Sequence, residues 1–286
     1  MILTIASGKG GTGKTTVAVN LALSLMSQRH DGKLLFLDCD VEEPNAHLFL
    51  KPVITRREEV SVMIPQVDPI RCAHHARCAE VCQFHAIAAL PNVTLVFPEL
   101  CHGCGGCTLE CPEQAIGEVP RTIGMIEEGR VGPIDFAHGI LNVGEPMATP
   151  IIRQLKGRIR NDYDVAILDA PPGTACPVVE SMRGADFVLM VTEPTPFGLH
   201  DLRLAVQVAR DELALPVAVV VNHDGVGDTG VDEYCTAEGI PILMRIPLDR
   251  RIAVAYSKGT PLVEALPEYR DQLCQLFASI KQEASA

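Results

Sequence analysis

Two groups of residues in this chain have types and spacings that suit chemistry. The first is Gly8-Lys9-Gly10-Gly11-Thr12-Gly13-Lys14-Thr15-Thr16, which fits the phosphate-binding pattern G-x-x-x-x-G-K-[ST]. Its glycines let the backbone curl so that N–H groups face phosphate oxygens, and a helix N-terminus behind them adds positive potential. In this pattern Lys14 reaches the β- and γ-phosphates and Thr15 holds Mg2+, so the expected ligands are ATP or ADP with Mg2+. The second group is the cysteines. Seven of the eleven lie between Cys72 and Cys111, while Cys39, Cys176, Cys235 and Cys274 are scattered. Cys101, Cys104, Cys107 and Cys111 follow a 2-2-3 spacing and end on Pro112. That run binds iron–sulphur cubanes, and its fourth cysteine serves the other cluster of a pair. Gly103, Gly105 and Gly106 allow the tight loops that turn N–H groups toward the sulphurs. A zinc site also uses cysteines, but four at this spacing before a proline favour iron and sulphide.

An earlier half-motif departs from the pattern. Cys72, His75, Cys78 and Cys82 keep the spacing, with His75 in the second place and Gln83 where proline is usual. Phe84-His85-Ala86-Ile87 mirrors Ala115-Ile116 after the second run, so the halves read as an internal repeat. By the crossed-ligand rule, one cluster takes Cys82, Cys101, Cys104 and Cys107 and is expected to be a complete [4Fe–4S]. The other takes Cys72, Cys78 and Cys111. Three outcomes compete there. His75 ligates the fourth iron and raises the potential, or a [3Fe–4S] cluster forms with His75 idle, or the site is empty or filled by zinc.

These residues need elements to position them. Continuous apolar runs at Ile2–Ala6, Leu34–Asp38, Val165–Asp169, Phe187–Val191, Val217–Val221 and Ile242–Ile246 read as strands covered on both faces. Helical patterns lie between several of them, notably residues 14–28 and Leu199–Leu213. Strands alternating with helices predict an α/β fold, a mostly parallel sheet with helices on both faces. The alternation breaks over the cysteine segment. The expected organisation is therefore residues 1–63 as the first part of a nucleotide-binding domain, 64–118 as a small inserted α+β two-cluster domain, and 119–286 as the second part. Arg121–Glu127 and Phe136–Val143 suggest a hairpin-like return. Residues 262–286 read as helical, with Leu266, Leu273 and Leu276 packing inward.

Composition narrows the role. The formal net charge is −12, so no global basic field attracts nucleic acid or anionic lipid. No run of apolar residues is long enough to span a membrane, and the last segment has too few basic residues for an interfacial anchor. Residues 2–6 are apolar, but Gly8 and Lys9 follow at once, so the start does not read as a secretory signal. Clustered cysteines in such a chain point to metal rather than disulfides. A cytoplasmic location is expected.

The extra lysine, Lys9, makes the phosphate loop resemble the deviant Walker A of the MinD/ParA/nitrogenase-iron-protein class. In that class this lysine crosses a nucleotide-sandwich dimer to the partner's phosphates. The resemblance implies a dimer with ATP bound, either with itself or with a paralogue, through the nucleotide face. Asp38-Cys39-Asp40-Val41-Glu42-Glu43-Pro44-Asn45 resembles the first switch of that class. There Asp40 matches the residue that orients the attacking water, and Asp38 lies near the metal. Asp169-Ala170-Pro171-Pro172-Gly173 resembles Walker B merging into the second switch, implying a water-mediated Mg2+ contact from Asp169 and γ-phosphate sensing by the Gly173 backbone. Asn222 matches the adenine-reading position, and Ile246-Pro247-Leu248-Asp249 the loop over the base. Val191–Asp201 and Tyr256-Ser257-Lys258-Gly259 extend the likeness. With the cysteine runs, the chain resembles MinD-superfamily P-loop ATPases that carry an inserted ferredoxin domain. The implied activity is slow, partner-stimulated ATP hydrolysis, linked to redox or electron transfer with a protein partner. Spatial organisation and iron–sulphur assembly are the alternatives.

Overall fold

A computed structural model describes residues 1–28 and 32–285. The chain divides into two units. The first comprises Met1–Arg57, Ile126–Ile140 and Ile151–Ala286, and the second Glu58–Met125 and Leu141–Pro150.

The strands are β1 (Ile2–Ala6), β2 (Leu34–Asp38), β3 (Val53–Val67), β4 (Ile87–Leu90), β5 (Val93–Val96), β6 (Ile116–Val131), β7 (Ile134–Leu141), β8 (Val165–Asp169), β9 (Phe187–Thr192), β10 (Val217–Asp224) and β11 (Ile242–Pro247). The helices are α1 (Lys14–Gln28), α2 (Ala46–Leu50), α3 (Arg77–Val81), α4 (Gly106–Leu109), α5 (Thr149–Lys156), α6 (Cys176–Met182), α7 (Pro196–Gln207), α8 (Gly230–Ala237), α9 (Arg250–Ser257), α10 (Leu262–Ala265) and α11 (Glu268–Glu283). A wide π turn, Val208–Glu212, continues α7.

Among the described residues, nine strands form one sheet in the order β11-β10-β9-β1-β8-β2-β7-β6-β3. The pairs from β11 to β7 are parallel. Their side chains alternate between two faces, as the pleat demands. Leu3, Ile5, Phe187, Leu189, Val191, Ala218 and Val220 pack with α1, α10 and α11. Ala6, Val188, Met190, Val217, Val219 and Val221 pack with α6, α7 and α8. Both faces are dry, which is why each strand reads as an unbroken apolar run. Leu266, Leu273 and Leu276 are buried as expected, although α10 and α11 break at Leu266–Pro267 and Ala286 lies outside the described residues.

Two strands overrun the expected limits of the cysteine segment. β3 continues to Val67 and β6 begins at Ile116, and both belong to the large sheet. The break in alternation at residues 64 and 118 therefore does not coincide with the end of sheet structure. The reason is exposure. β3 is an edge strand whose first half, with Arg56, Arg57, Glu58 and Glu59, is largely open to solvent, so it lacks the apolar run that marks a central strand. β6 and β7 form the hairpin, joined through Gly132 in left-handed backbone.

In the second unit, each cysteine half adopts one backbone plan. His74, Ala76 and His85 have φ of 56°, 63° and 52°, and their counterparts Gly103, Gly105 and Gln114 have 65°, 73° and 48°. Each half then makes a short helix, α3 or α4, followed by a buried Ala-Ile pair, Ala86-Ile87 or Ala115-Ile116. Cys78, Ile87 and Ile116 centre the small core. β4 and β5 pair antiparallel.

Candidate functional site

The phosphate loop leaves β1 at the C-terminal edge of the parallel sheet, the edge where open α/β sheets bind ligands. Close packing explains its outer glycines. A Cβ on Gly8 would lie 2.1 Å from the Asp201 carbonyl oxygen of α7. Gly13 has φ +89°, and a Cβ there would meet the Asn222 side-chain nitrogen at 2.3 Å. The Ser7 hydroxyl donates to the Lys9 carbonyl at 2.8 Å, and Val17 N–H to the Gly13 carbonyl at 3.0 Å, which joins loop to helix α1.

The strand register brings the carboxylates together. Asp38 on β2 and Asp169 on β8 are direct neighbours, and both are fully buried. Asp38 accepts from the backbone N–H groups of Asp40, Asn45 and Ala46 at 3.1, 3.0 and 3.0 Å, so it also orders the segment that follows it. Burial, with the Asp169 charge beside it, pushes the Asp38 carboxyl up to about 7. Burial likewise lifts Asp40 to about 6. Lys14 donates to Asp169 Oδ1 at 2.7 Å. Burial disfavours the Lys14 charge, but Asp169, Asp38 and Asp40 outweigh it and hold the ammonium above its usual range. Asp169 Oδ2 is buried without a hydrogen-bond partner. One ammonium among three carboxylates, with a bare buried oxygen, leaves the pocket short of positive charge. That deficit suits a divalent cation with oxygen ligands.

A cleft of about 460 Å³ opens over the loop, a size that takes a small-molecule ligand. Gly10, Gly11, Thr12, Gly13, Lys14, Thr15, Thr16 and Lys9 form its floor, and Asp40 lies on one wall. Asn222, Pro247, Leu248, Ile252 and Tyr256 line another part. Two residues sit differently from the roles the resemblance implies. The Gly173 N–H donates to the Ser7 carbonyl at 3.0 Å rather than facing open space. Asn222 donates through Nδ2 to the Thr12 carbonyl at 2.8 Å, bracing the phosphate loop as well as lining the cleft. Cys176 is exposed at the start of α6.

Sequence reading missed the partners of Lys9. Its ammonium pairs with Glu193 Oε2 at 2.8 Å, and the other Glu193 oxygen accepts from His223 Nδ1 at 3.0 Å. A carboxylate only accepts, so His223 carries its proton on Nδ1. Burial raises the Glu193 carboxyl, but the bonds and charges of Lys9 and His223 outweigh this and lower it. His223 follows Asn222 in left-handed backbone, φ +55°. No local signal reveals this trio, because Lys9 and Glu193 are 184 residues apart.

In the second unit the thiols sort into two cavities. Cys82, Cys101, Cys104 and Cys107 line one. Cys72, Cys78 and Cys111 line the other, with His74 and His75. Backbone N–H groups of Ala86, Gly103 and Ala115 donate to the sulphurs of Cys82, Cys101 and Cys111 at 3.3, 3.4 and 3.3 Å. His75 is held by Glu113 at 3.0 Å, while His74 Nδ1 lies 3.7 Å from Cys72 Sγ. Phe84 stacks on His102 at 3.6 Å beside the four-cysteine cavity. All eleven cysteines are unpaired. Among the described residues, no three His, Cys, Asp or Glu side chains converge as a single metal ion requires. No helix among them is long and apolar enough to cross a membrane.

Comparison with known proteins agrees with the first unit's geometry. Residues 3–262 match the model of the CobQ/CobB/MinD/ParA nucleotide binding domain. An uncharacterized protein of Methanocaldococcus jannaschii is 30% identical over 278 residues, covering 95% of this chain and 93% of its own. An iron-sulfur cluster carrier protein of Pyrococcus horikoshii is 28% identical over 277 residues, covering 91% of this chain and 78% of its own. The structure of the septum site-determining protein MinD complexed with Mg-ADP, from Pyrococcus horikoshii, superposes with a TM-score of 0.61 at 19% identity, over 98% of this chain and 95% of that one. This shows a shared fold. The chain belongs to the CobQ/CobB/MinD/ParA nucleotide-binding family of P-loop ATPases.

Proposed function

We propose that this protein binds and hydrolyses Mg-ATP as a nucleotide-dependent dimer and couples its ATP state to iron–sulphur clusters held by the second unit. The observation that carries the reading is the sorting of the thiols in a chain that also holds a complete phosphate-loop cleft. The four cysteines that the crossed-ligand rule groups together line one cavity, and the remaining three line the other.

In the first unit, the loop N–H groups and Lys14 bind the phosphates, and Thr15 with the unpaired Asp169 oxygen would hold Mg2+. Bound there, Mg2+ neutralises phosphate charge. Asp40, with its carboxyl near 6, is mostly ionised at pH 7 and can orient the attacking water and accept its proton. Lys9 reaches the partner's phosphates and offsets charge in the transition state. The apolar wall with Pro247 and Leu248 covers the base.

In the second unit, a multi-iron cluster asks for one ligand per corner rather than convergence on a point. The N–H groups of Ala86, Gly103 and Ala115 donate to the sulphurs of Cys82, Cys101 and Cys111, the kind of N–H to sulphur bond that surrounds a bound cluster. Bound clusters supply one-electron redox capacity. The bond from His75 to Glu113 favours the reading in which His75 is not a ligand and three thiols serve the second site. Eleven unpaired cysteines suit a reducing compartment such as the cytoplasm. A second reading, cluster delivery, draws support from the relatives named iron-sulfur cluster carriers.

Turnover of Lys14→Ala and Asp40→Ala is expected to fall to background. Nucleotide binding should be lost in the first and kept in the second, and normal hydrolysis in either would overturn the site. For the redox link, ATPase rates are compared with clusters oxidised and reduced. Equal rates, with cluster loss to an apo-acceptor on ATP addition, would replace coupling by delivery.

A further inference from the structure

Glu193 and His223 lie outside every role assigned above, although Glu193 holds Lys9, which does not. Glu193 is fixed. Its carbonyl accepts from Thr195 N–H at 2.8 Å and abuts Gly198, where a Cβ would fall 2.2 Å away. The next residue is pinned too, because the Pro194 carbonyl accepts from Asp228 N–H at 3.0 Å. Lys9 is a long side chain at the rim of the cleft, with 31% of its side chain exposed. Its backbone is tied by Ser7, so the ammonium moves by rotating its stem. A carboxylate held through both its oxygens therefore faces a long side chain at the rim of the cleft.

We infer that Glu193 is a positioning residue that parks Lys9 on its own subunit and releases it only when a partner's triphosphate competes for it. This rests on the reading above in which Lys9 crosses an ATP-bound dimer. An ammonium bonded to Glu193 is not free to reach another chain, so the intramolecular pair opposes the dimer. A γ-phosphate adds negative charge that ADP lacks, so the pair sharpens the distinction between the two nucleotides. Departure of Lys9 does not strand the carboxylate, because His223 still donates to its other oxygen. That second bond makes the exchange reversible rather than a source of an unpaired buried charge. A part-exposed pair of this kind is worth up to about a fivefold factor. A symmetric dimer breaks two, so the combined effect is at most about twenty-fivefold.

The test measures dimer dissociation constants by sedimentation velocity with saturating Mg-ATP, in an Asp40→Ala background that arrests hydrolysis. Glu193→Gln is expected to tighten the dimer about tenfold while changing Mg-ADP affinity of the monomer less than about twofold. The same change added to Lys9→Ala is expected to do nothing, since the coupling runs through that one pair. An unchanged or weaker dimer in Glu193→Gln overturns the inference, as does equal tightening with Lys9 absent. Absence of an ATP-dependent dimer in the Asp40→Ala protein overturns both the inference and the dimer reading. A wild-type dimer with no response to Glu193→Gln overturns the inference alone.

Discussion

At the scale of single residues, the phosphate site was legible because its parts are contiguous. Gly8 to Thr16 spell out a loop whose chemistry is local, and the structure adds the reasons for two of its glycines. Gly13 meets Asn222, which in turn holds the Thr12 carbonyl. Gly13→Ala imposes left-handed backbone on an L-residue and displaces that amide, at a combined cost of about 2–3 kcal/mol. A lowered melting temperature and loss of ADP binding by calorimetry are expected, and retention of ADP affinity would show that the loop tolerates the displaced Asn222. What the sequence did not reveal at this scale were partners distant along the chain. Lys9 was singled out, but Glu193 and His223 reach it only through the order of strands β1, β9 and β10.

At the scale of elements, the central strands were readable and the edge was not. β1, β2, β8, β9, β10 and β11 are covered on both faces and betray themselves by apolar runs. β3 and β6 are half-exposed, and charge hides their periodicity. The hairpin carries a buried imidazole whose surroundings make a further prediction. His138 on β7 donates through Nε2 to Glu127 Oε2 on β6 at 3.0 Å, and its ring lies 5.1 Å from His47 of α2 and 5.3 Å from Phe136. Burial is the main cause that depresses its basicity. The Glu127 bond opposes this, and His47 reinforces it. The folded chain thus binds a proton here less readily than the unfolded chain. The stability from the neutral ring is present above about pH 6.5 and is lost as pH falls toward the depressed value. Glu127 keeps its Arg57 partner at 2.7 Å without the histidine. Urea unfolding at pH 7 and 5.5 should show His138→Phe losing less stability than wild type over that interval. Equal losses would show that folding leaves the proton affinity of the ring unchanged.

At the scale of the whole molecule, the nucleotide cleft and the proposed cluster sites fall in different units, and each is testable without the other. Anaerobically prepared protein is expected to contain iron and acid-labile sulphide. Cys104→Ser and Cys82→Ser should each remove about one cluster's complement of about four irons, because both thiols line one cavity. Cys78→Ser should instead deplete the other site. Identical iron loss from Cys82→Ser and Cys78→Ser, with Cys104→Ser unlike either, would mean that ligands follow sequence order rather than crossing. ADP affinity of all three variants should match wild type, since the nucleotide cleft lies in the first unit. The spacing suggested the grouping of Cys82 with Cys101, Cys104 and Cys107, and these four line one cavity. The bond from His75 to Glu113 was not legible, because it depends on how the two halves face each other in space.

The mirrored backbone of those halves has a consequence for how the second unit breathes. Where the later half places Gly103 and Gly105 in left-handed conformation, the earlier half places His74 and Ala76. An L-residue held there costs roughly 1–2 kcal/mol, a penalty that glycine escapes. The same local architecture is thus built twice at unequal tension, and the earlier copy is the one that opens first. Hydrogen exchange on metal-free protein reads this directly, because local opening sets the exchange rate of protected amides. The amides of Ala79 and Glu80, bonded to the Ala76 carbonyl, should exchange faster than those of Thr108 and Leu109, bonded to Gly105. Ala76→Gly should slow the first pair and narrow the gap.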